Sequence, residues 1–230
     1  MTQVFLLMDR RLEDISTTIY VFDLDDTLYP EGDYVVSGYK HIISHLTSHL
    51  KFGNAAAKDI LLNDIDPLTC QPLQTIIQNF GLNDAILESL IWMYRLHHPD
   101  IELPVETRHV IETLRNKGAQ VAIITDGRSI SQRLKINALG LIDVPAYVSE
   151  EYAGGKPSLV MFKALMSDFP NLNYIYVGDN PHKDFLAPKK LGWKTIGLSK
   201  YAKDEHLDNL NTLDKIYRPD FWVASLTDLI

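Results

Sequence analysis

The sequence has very little cysteine: Cys70 is the only one among 230 residues. A single thiol cannot form an internal disulfide and cannot supply a thiolate cluster for a metal. We therefore interpret Cys70 as a small packed apolar side chain, and we expect a reducing, cytoplasmic location. The length also excludes a mini-protein stapled by disulfides and allows one sizeable domain or a core that carries a smaller insertion.

A long hydrophobic run is missing near the start of the chain. The apolar stretch at residues 4–8 has five residues and is followed at once by Asp9, Arg10 and Arg11. Such a stretch is too short for a signal peptide or a membrane span, so we predict no membrane partner. Internal repeats and low-complexity segments are absent from the sequence as well.

An excess of positive charge is also missing. The chain has 22 Lys and Arg residues against 30 Asp and Glu residues, which gives a formal net charge of −8. A nucleic-acid footprint needs a basic patch, so we predict no nucleic-acid partner. The 46% of hydrophobic and 23% of charged residues are close to the averages for soluble globular proteins, which excludes a disordered or collagen-like chain.

What the sequence does contain is a series of short, almost wholly apolar runs bounded by turn residues. These runs are rich in β-branched and aromatic side chains, and continuous apolarity is typical of strands that are buried on both faces. We predict strands at residues 19–22, 121–124, 146–148, 174–177 and 221–224. Helical patterns lie at residues 105–117, 129–139, 158–167 and 182–191, so the predicted fold class is α/β, with a doubly wound, mostly parallel sheet.

Residues 31–104 break this alternation because they carry helical periodicity and no convincing strand. We predict an all-helical insertion at residues 31–104, and an α/β core formed by residues 1–30 and 105–230. Its first segment places seven apolar residues on one stripe of a helix: Val35, Val36, Tyr39, Ile42, Ile43, Leu46 and Leu50. Its last segment does the same with Ile86, Leu87, Leu90, Ile91 and Tyr94.

Three carboxylates follow directly on the first predicted strand, at Asp23, Asp25 and Asp26. Carboxylates crowded in this way are costly unless something cationic binds beside them. Open α/β sheets bind ligands beyond the carboxyl ends of their strands, where the strand order reverses, so this position suits a functional site. The alternative interpretation is that these side chains only form a turn or cap a helix.

Two later strand ends carry groups that suit an anion. The strand at 121–124 leads into Thr125, Asp126 and Gly127, where a hydroxyl and backbone N–H groups at a helix start can hold an anion. The strand at 146–148 is followed by two glycines and Lys156, which supplies a point charge close to the backbone. Taken singly, each pattern is also typical of an ordinary turn.

The strand at 174–177 leads into Asp179 and Asn180, with Asp184 five residues after Asp179. These side chains offer oxygen ligands for a hard cation, although either aspartate alone is also typical of a helix cap. Paired carboxylates, a hydroxyl, a lysine and a second acidic pair, each following a strand, form a far more specific combination than any one motif.

In these four motifs the sequence resembles the haloacid dehalogenase superfamily. The matching residues are the run from Asp23 to Thr27, then Thr125, then Lys156, and then the run from Gly178 to Asp184. The resemblance covers the chain from about residue 19 to the end, and it implies that the helical insertion is a cap domain. The phosphatase and phosphotransferase branches carry an acid where Asp25 stands and the dehalogenases lack it, so dehalogenation is disfavoured.

The resemblance implies a role for each residue of the first and last motifs. Asp23 is expected to be the nucleophile, because a carboxylate can attack phosphorus once positive charge covers the phosphoryl group. Asp25 is expected to serve as general acid and then as general base. The expected cofactor is Mg²⁺, held by Asp23 and Asp179 and by the backbone carbonyl of Asp25. Asn180 and Asp184 are expected to support these ligands without binding the metal directly. Asp184 is expected to orient Lys156 or a metal-bound water.

The resemblance also implies a phosphate cradle and a substrate. Thr125 and Lys156, with Asp126 and Gly127, are expected to hold the phosphate. Asp126 stands at a position where Asn is also common in the family. This variation does not affect the expected phosphate cradle, because only the backbone at this position needs to face the phosphate. Tyr29 and the insertion residue Arg95 are expected to contact the rest of a small phosphorylated metabolite, such as a sugar phosphate or a nucleoside monophosphate.

The sequence leaves two other functions open. A phosphotransferase or phosphomutase of the same superfamily would pass the phosphoryl group to a second hydroxyl instead of water. A non-catalytic binding module would retain the fold but would usually have lost an essential acid or lysine, and each of them is present here.

Two patterns in the insertion have ordinary explanations beside functional ones. His41, His45 and His49 are spaced so that they share one helix face, as a transition-metal site requires, but they also form a polar flank of the apolar stripe. Trp92 and Arg95 are neighbours on a helix, which suits recognition of a base, a sugar or a second anionic group, but equally suits packing and surface charge.

Overall fold

The computed structural model describes residues 15–48, 72–202 and 212–230. The described residues divide into two units, which we call the sheet unit and the helical unit. The sheet unit takes its residues from Met1–Pro30, Leu103–Ser129 and Ile142–Ile230, and the helical unit from Glu31–Glu102 and Ile130–Leu141. Cys70, Leu50 and His49 lie outside the described residues.

The sheet unit contains a six-stranded sheet. Its strands are β1 (Thr18–Phe22), β2 (Gln120–Thr125), β3 (Ala146–Val148), β4 (Asn173–Gly178), β5 (Lys194–Leu198) and β6 (Phe221–Val223). Every neighbouring pair is parallel, and the order across the sheet is β3-β2-β1-β4-β5-β6. The chain builds one half outward from β1 and then returns to place β4 on the other side of β1. The predicted α/β class with a doubly wound parallel sheet is confirmed.

The central strand β1 shows why the strands form where they do. All five of its residues are buried, as continuous apolarity predicts for a strand covered on both faces. Val21 lies opposite Ala122 of β2 on one side and Tyr176 of β4 on the other. Aromatic and aliphatic side chains from the segments after β3 and β4 complete this core, among them Met161, Phe162, Leu165, Phe185 and Trp193.

The structure contains one strand that the sequence analysis did not predict. β5 reads Lys-Thr-Ile-Gly-Leu, and only its last four residues are buried. An exposed lysine at its start and a glycine in the middle weaken the apolar signal, because glycine is unfavourable inside strands. Gly192 is the signal in the sequence that could have revealed β5, because a glycine often marks the turn before a strand, and Gly192 has a φ of +78°.

The helices in the described residues are α1 (Glu31–Ser48), α2 (Pro72–Asn79), α3 (Leu87–Leu96), α4 (Val105–Asn116), α5 (Ser129–Ala138), α6 (Val160–Asp168), α7 (Pro181–Asp184) and α8 (Leu186–Lys190). The single helix expected at 182–191 is therefore wrong, since two short helices meet at Phe185. Pro188 explains the break, because a proline ring clashes with the carbonyl four residues earlier in a continuous helix.

The helical unit has its own apolar core. Helices α1, α2 and α3 and the residue that directly follows α2 contribute to it the buried residues Tyr39, Ile42, Ile43, Leu46, Ile76, Ile77, Phe80 and Leu90. Five of these come from the two predicted stripes, which confirms the stripe pattern. No strand occurs in the described part of residues 31–104. No helix in the described residues is both long enough and apolar enough to span a membrane.

Helix α5 groups differently from the sequence expectation. The sequence boundaries placed it with the α/β core, but Ile130–Leu141 belongs to the helical unit. The Ser131 hydroxyl donates a hydrogen bond to the carbonyl of Arg95, and Lys135 Nζ lies 4.1 Å from the centre of the Tyr34 ring. These side-chain contacts with α3 and α1 explain why this stretch of chain joins the helices.

Candidate active site

The candidate site lies at the carboxyl ends of the central strands of the sheet unit. Asp23 directly follows β1, Thr125 ends β2 and Asp179 directly follows β4. The Asp23 N–H donates to the carbonyl of Val177 across 2.9 Å, which ties the end of β1 to the end of β4. The strand order reverses between β1 and β4, so the site occupies the position where open α/β sheets bind ligands.

At the centre of this site Lys156 lies between two carboxylates. Its Nζ atom is 2.8 Å from Oδ1 of Asp23 and 2.6 Å from Oδ1 of Asp184, and all three side chains are buried. Asp23 lies 133 positions before Lys156 along the chain, and Asp184 lies 28 positions after it. A buried ammonium flanked by two carboxylates satisfies the requirement that buried charges be paired.

The loop that carries Lys156 is held by Asp126. Oδ1 of Asp126 accepts the backbone N–H of Lys156 across 2.9 Å. A Cβ atom at Gly155 would lie 2.8 Å from the same oxygen, so only glycine permits this approach. The structure therefore gives the side chain of Asp126 a structural partner, while its predicted backbone contact with phosphate stays a prediction.

Asp184 is fully buried and anchors the turn after β4. Its Oδ1 accepts hydrogen bonds from Lys156 and from the hydroxyl of Tyr176, and its Oδ2 accepts the N–H of Asn180 across 2.8 Å. A Cβ atom at Gly178 would lie 2.5 Å from Oδ2, so the strand needs glycine there. Asp184 thus connects Lys156 with the turn that carries Asp179.

Burial and mutual repulsion change the acidity of these groups. Burial raises the pKa of Asp23 to about 7, although the adjacent Lys156 ammonium lowers it. Burial and the charges of Asp184 and Asp23 raise the pKa of Asp179 to about 9. Burial alone would lower the pKa of Lys156, but Asp184 and Asp23 raise it well above its ordinary value, so the ammonium stays charged.

These carboxylates fit a divalent cation. Asp23, Asp179 and Asp184 are buried, and they form the one group of three or more potential ligands in the described residues whose ligand atoms lie within 4.8 Å of one another. Hard carboxylate oxygens are the ligands that Mg²⁺ prefers, and a cation would favour the ionised forms that burial opposes. Both oxygens of Asp184 already accept hydrogen bonds, which suits it better to the expected supporting position.

Asp25 and Tyr29 meet within the loop that follows β1. The Tyr29 hydroxyl donates a hydrogen bond to Oδ1 of Asp25 across 2.5 Å, and Tyr29 is completely buried. The sequence predicts that Tyr29 contacts substrate. Its hydroxyl is instead engaged by Asp25, and a contact with substrate stays a prediction, as does the contact of the Asp25 carbonyl with a metal.

The turn after β2 is held by a short segment that the sequence analysis did not single out. Gly127 donates its N–H to the hydroxyl of Ser149 across 3.0 Å, and Glu150 accepts both the N–H of Ser129 and a hydrogen bond from Arg128. The Gly127 N–H, which the sequence predicts to face an anion, is therefore engaged within the protein, as is the N–H of Ser129. Thr125 is buried at the end of β2, next to this turn.

The remaining candidates belong to the helical unit. The guanidinium of Arg95 lies 5.7 Å from the centre of the Trp92 ring. The ring centres of His41 and His45 are 6.4 Å apart, and they form no potential ligand group of three in the described residues. The role of Arg95 stays a prediction, and so does the interpretation of the histidines as a polar flank, because His49 lies outside the described residues.

Comparison with known proteins agrees with this geometry. Residues 20–198 match the family model of the haloacid dehalogenase-like hydrolases. The chain belongs to this family. Its membership confirms the family that the four motifs predicted, and it explains why paired carboxylates, a lysine and a second acidic pair stand at the strand ends.

Two curated relatives of this haloacid dehalogenase-like hydrolase are named as phosphatases. The pyrophosphatase PpaX of Bacillus velezensis is 28% identical over 229 residues, which cover 95% of this chain and 97% of the relative. The glyceraldehyde 3-phosphate phosphatase of Methanocaldococcus jannaschii is 27% identical over 225 residues, which cover 85% of this chain and 93% of the relative.

A solved structure shares the fold. The HAD-hydrolase YfnB of Bacillus subtilis, determined with bound magnesium, has a TM-score of 0.61 and 17% sequence identity. The match covers 92% of this chain and 96% of that chain.

Proposed function

We propose that this hydrolase cleaves small phosphomonoesters through an aspartyl phosphate on Asp23, with Mg²⁺ as cofactor. The observation that carries the proposal is the ion pair of Asp23 and Lys156, 2.8 Å apart, at the strand ends where Asp25 and Asp179 also lie. The names of the two curated relatives support a phosphorylated substrate.

The first half of the reaction begins at Asp23. One of its carboxylate oxygens attacks phosphorus while the bond from phosphorus to the leaving oxygen breaks, and Asp25 donates its proton to that oxygen. The positive charge of Lys156 and the Thr125 hydroxyl stabilise the oxygens of the transferring phosphoryl group.

In the second half water attacks the phosphorus of the aspartyl phosphate and Asp25 accepts the proton of that water. The bond to Asp23 then breaks, which releases inorganic phosphate and regenerates the carboxylate. Asp25 therefore serves both half-reactions. It is protonated at the start of the first and ionised at the start of the second.

The carboxylates of Asp23 and Asp179, with the backbone carbonyl of Asp25, would hold the metal. Bound Mg²⁺ would supply positive charge that reduces repulsion between the phosphate dianion and the nucleophile. The raised pKa values of Asp23 and Asp179 support this assignment, because ionising both buried groups calls for more positive charge than Lys156 alone provides.

Substrate selection is proposed to reside in the helical insertion, acting as a cap domain, with Arg95 as a contact for the part of the substrate beyond the phosphate. Sugar phosphates and nucleoside monophosphates are the proposed substrates, in a cytoplasmic setting. A phosphotransferase would need a second hydroxyl as acceptor, and a non-catalytic module would have no use for the intact set of Asp23, Asp25 and Lys156.

The proposal is tested by measuring phosphate release from sugar phosphates, nucleoside monophosphates, glyceraldehyde 3-phosphate and pyrophosphate. We expect release from at least one ester, loss of turnover in excess chelator and recovery on adding Mg²⁺. Ca²⁺ should inhibit, because it prefers roughly 6–8 ligands in a more flexible geometry. Full activity in chelator would contradict the metal role, and transfer to an added alcohol in place of phosphate release would identify a phosphotransferase.

A further inference from the structure

A tyrosine that the mechanism does not use lies directly behind Lys156. The Tyr176 hydroxyl is 3.2 Å from Lys156 Nζ and 3.2 Å from Oδ1 of Asp184, and those two groups are themselves 2.6 Å apart. The three polar atoms therefore form a closed triangle of hydrogen-bonding contacts. Tyr176 comes from β4 and Lys156 from the loop after β3, so strand packing brings them together.

The chemistry of these groups sets the direction of each hydrogen bond. The ammonium of Lys156 can only donate, and the ionised carboxylate of Asp184 can only accept. Tyr176 therefore accepts from Lys156, and its one proton points to Oδ1 of Asp184 at 3.2 Å, because the other acceptor in reach, the carbonyl oxygen of Ile124, is neutral and farther away at 3.5 Å. Burial and the charge of Asp184 raise the pKa of Tyr176 well above its ordinary value, so the phenol keeps the proton that it donates.

Lys156 then has one acceptor for each of its three protons: Asp23, Asp184 and Tyr176. Two of these acceptors carry negative charge, but the phenol oxygen is neutral. Tyr176 can therefore fix the position of the Lys156 ammonium without neutralising the positive charge that stabilises the phosphoryl group. Its ring is also held in place, because it packs against Phe162 at a centroid distance of 5.3 Å.

We propose that Tyr176 is a positioning residue for the reaction, which holds Lys156 at the nucleophile and fixes Oδ1 of Asp184. Tyr176 is completely buried, so it acts through Lys156 and not by touching substrate. This inference rests on the proposed function, because it assigns to Lys156 the task of stabilising the transferring phosphoryl group.

The test compares two variants that each remove one phenol oxygen from the same strand. Tyr176→Phe removes the hydroxyl beside Lys156. Tyr174→Phe is the matched control, because Tyr174 points to the same side of β4 but donates its hydrogen bond to the carbonyl of Phe169, 2.6 Å away. Both variants keep the aromatic ring that packs in the core.

We expect Tyr176→Phe to lower kcat for an aryl phosphate about tenfold, which corresponds to about 1.4 kcal/mol of transition-state stabilisation, with a smaller change in KM. The kcat of Tyr174→Phe should stay within about twofold of the wild-type value, even if its melting temperature falls as much as that of Tyr176→Phe. Equal kcat values for the two variants, measured well below their melting temperatures, would overturn the proposal.

A second measurement does not depend on activity. The free energy of unfolding is measured for Tyr176→Phe, Lys156→Met and the double variant. We expect the cost of losing the hydroxyl to shrink in the Lys156→Met background, because the ammonium that it holds is gone. An unchanged cost would show that Tyr176 does not hold Lys156 and would overturn the proposal. Absence of phosphatase activity in the wild type would refute the proposed function. The free energies of unfolding of these variants would then still show whether Tyr176 holds Lys156.

Discussion

The hydroxyl of Tyr29 donates a 2.5 Å hydrogen bond to Oδ1 of Asp25. Both residues lie in the loop after β1, where their backbones also pair in an isolated bridge. Because Tyr29 is completely buried, this bond fixes the rotation of the Asp25 carboxyl group before any substrate arrives. A carboxyl group that donates and later accepts a proton depends on such orientation.

We expect Tyr29→Phe to impair the step in which the leaving group takes a proton. An alkyl phosphate needs that proton and an aryl phosphate needs it much less. The value of kcat/KM should therefore fall about tenfold for the alkyl ester and much less for the aryl ester. Steady-state kinetics with both esters measure this difference. Equal losses for the two esters would mean that Tyr29 supports the loop as a whole.

Asp25→Asn should trap the aspartyl phosphate. With an aryl phosphate Asp23 can still attack, but water then lacks its general base, so the phosphorylated protein should accumulate. Rapid quench followed by intact-mass measurement detects the adduct. Asp23→Asn should give no adduct. Asp26→Asn is the matched control, because asparagine tolerates the left-handed φ of +54° at this position, and it should turn over without accumulation.

Thr27 offers a stability prediction from the same loop. Its Oγ1 atom is buried and has no hydrogen-bond partner within the described structure. Thr27→Val removes this unsatisfied group, so the free energy of unfolding should rise by about 1 kcal/mol. Thr195 is the matched control: it is equally buried, but its hydroxyl donates to Asp220 across 2.8 Å.

Thr195→Val should therefore lower the free energy of unfolding by about 1–3 kcal/mol. Urea denaturation of both variants measures the two changes. A loss of stability in Thr27→Val as large as that in Thr195→Val would show that the Thr27 hydroxyl has a partner in solution.

A buried histidine in the helical unit makes stability depend on pH. His97 Nδ1 lies 2.6 Å from the carbonyl of Tyr94, which can only accept, so Nδ1 carries the proton. In the neutral ring Nε2 then accepts from the hydroxyl of Ser37, 3.1 Å away, and that hydroxyl oxygen accepts the N–H of Asp100. Burial lowers the pKa of His97, and the nearby charges of His41, His98 and Lys135 lower it further.

The folded protein therefore binds this proton less readily than the unfolded chain. The contribution of His97 is fully present above about pH 6.5 and is lost as the pH falls toward the lowered pKa. We expect His97→Gln to show a weaker fall in the free energy of unfolding between pH 7 and pH 5 than wild type. His109→Gln, at an exposed position on α4, should keep the wild-type dependence. Identical pH dependence in His97→Gln and wild type would contradict this assignment.

The main features of the sheet could be predicted because they depend on patterns between neighbouring residues in the sequence. Each predicted strand is a short apolar run that ends in polar residues, so the run and the chemistry that follows it are neighbours in sequence. Asp23, Thr125 and Asp179 could be placed at strand ends on this basis alone. The strand β5 escaped because a lysine and a glycine dilute its apolar run. The break at Phe185 escaped because helical periodicity continues through a proline.

The sequence by itself determined the fold class, the helical character of the described part of residues 31–104 and the placement of Asp23, Thr125 and Asp179 at strand ends. Tertiary structure alone decided the partners: Lys156 with Asp184 and Tyr176, Tyr29 with Asp25, and α5 with the helical unit. Parallel strands joined by long crossovers bring distant residues together, and side-chain packing then selects which polar atoms meet. No spacing rule in the chain encodes that selection.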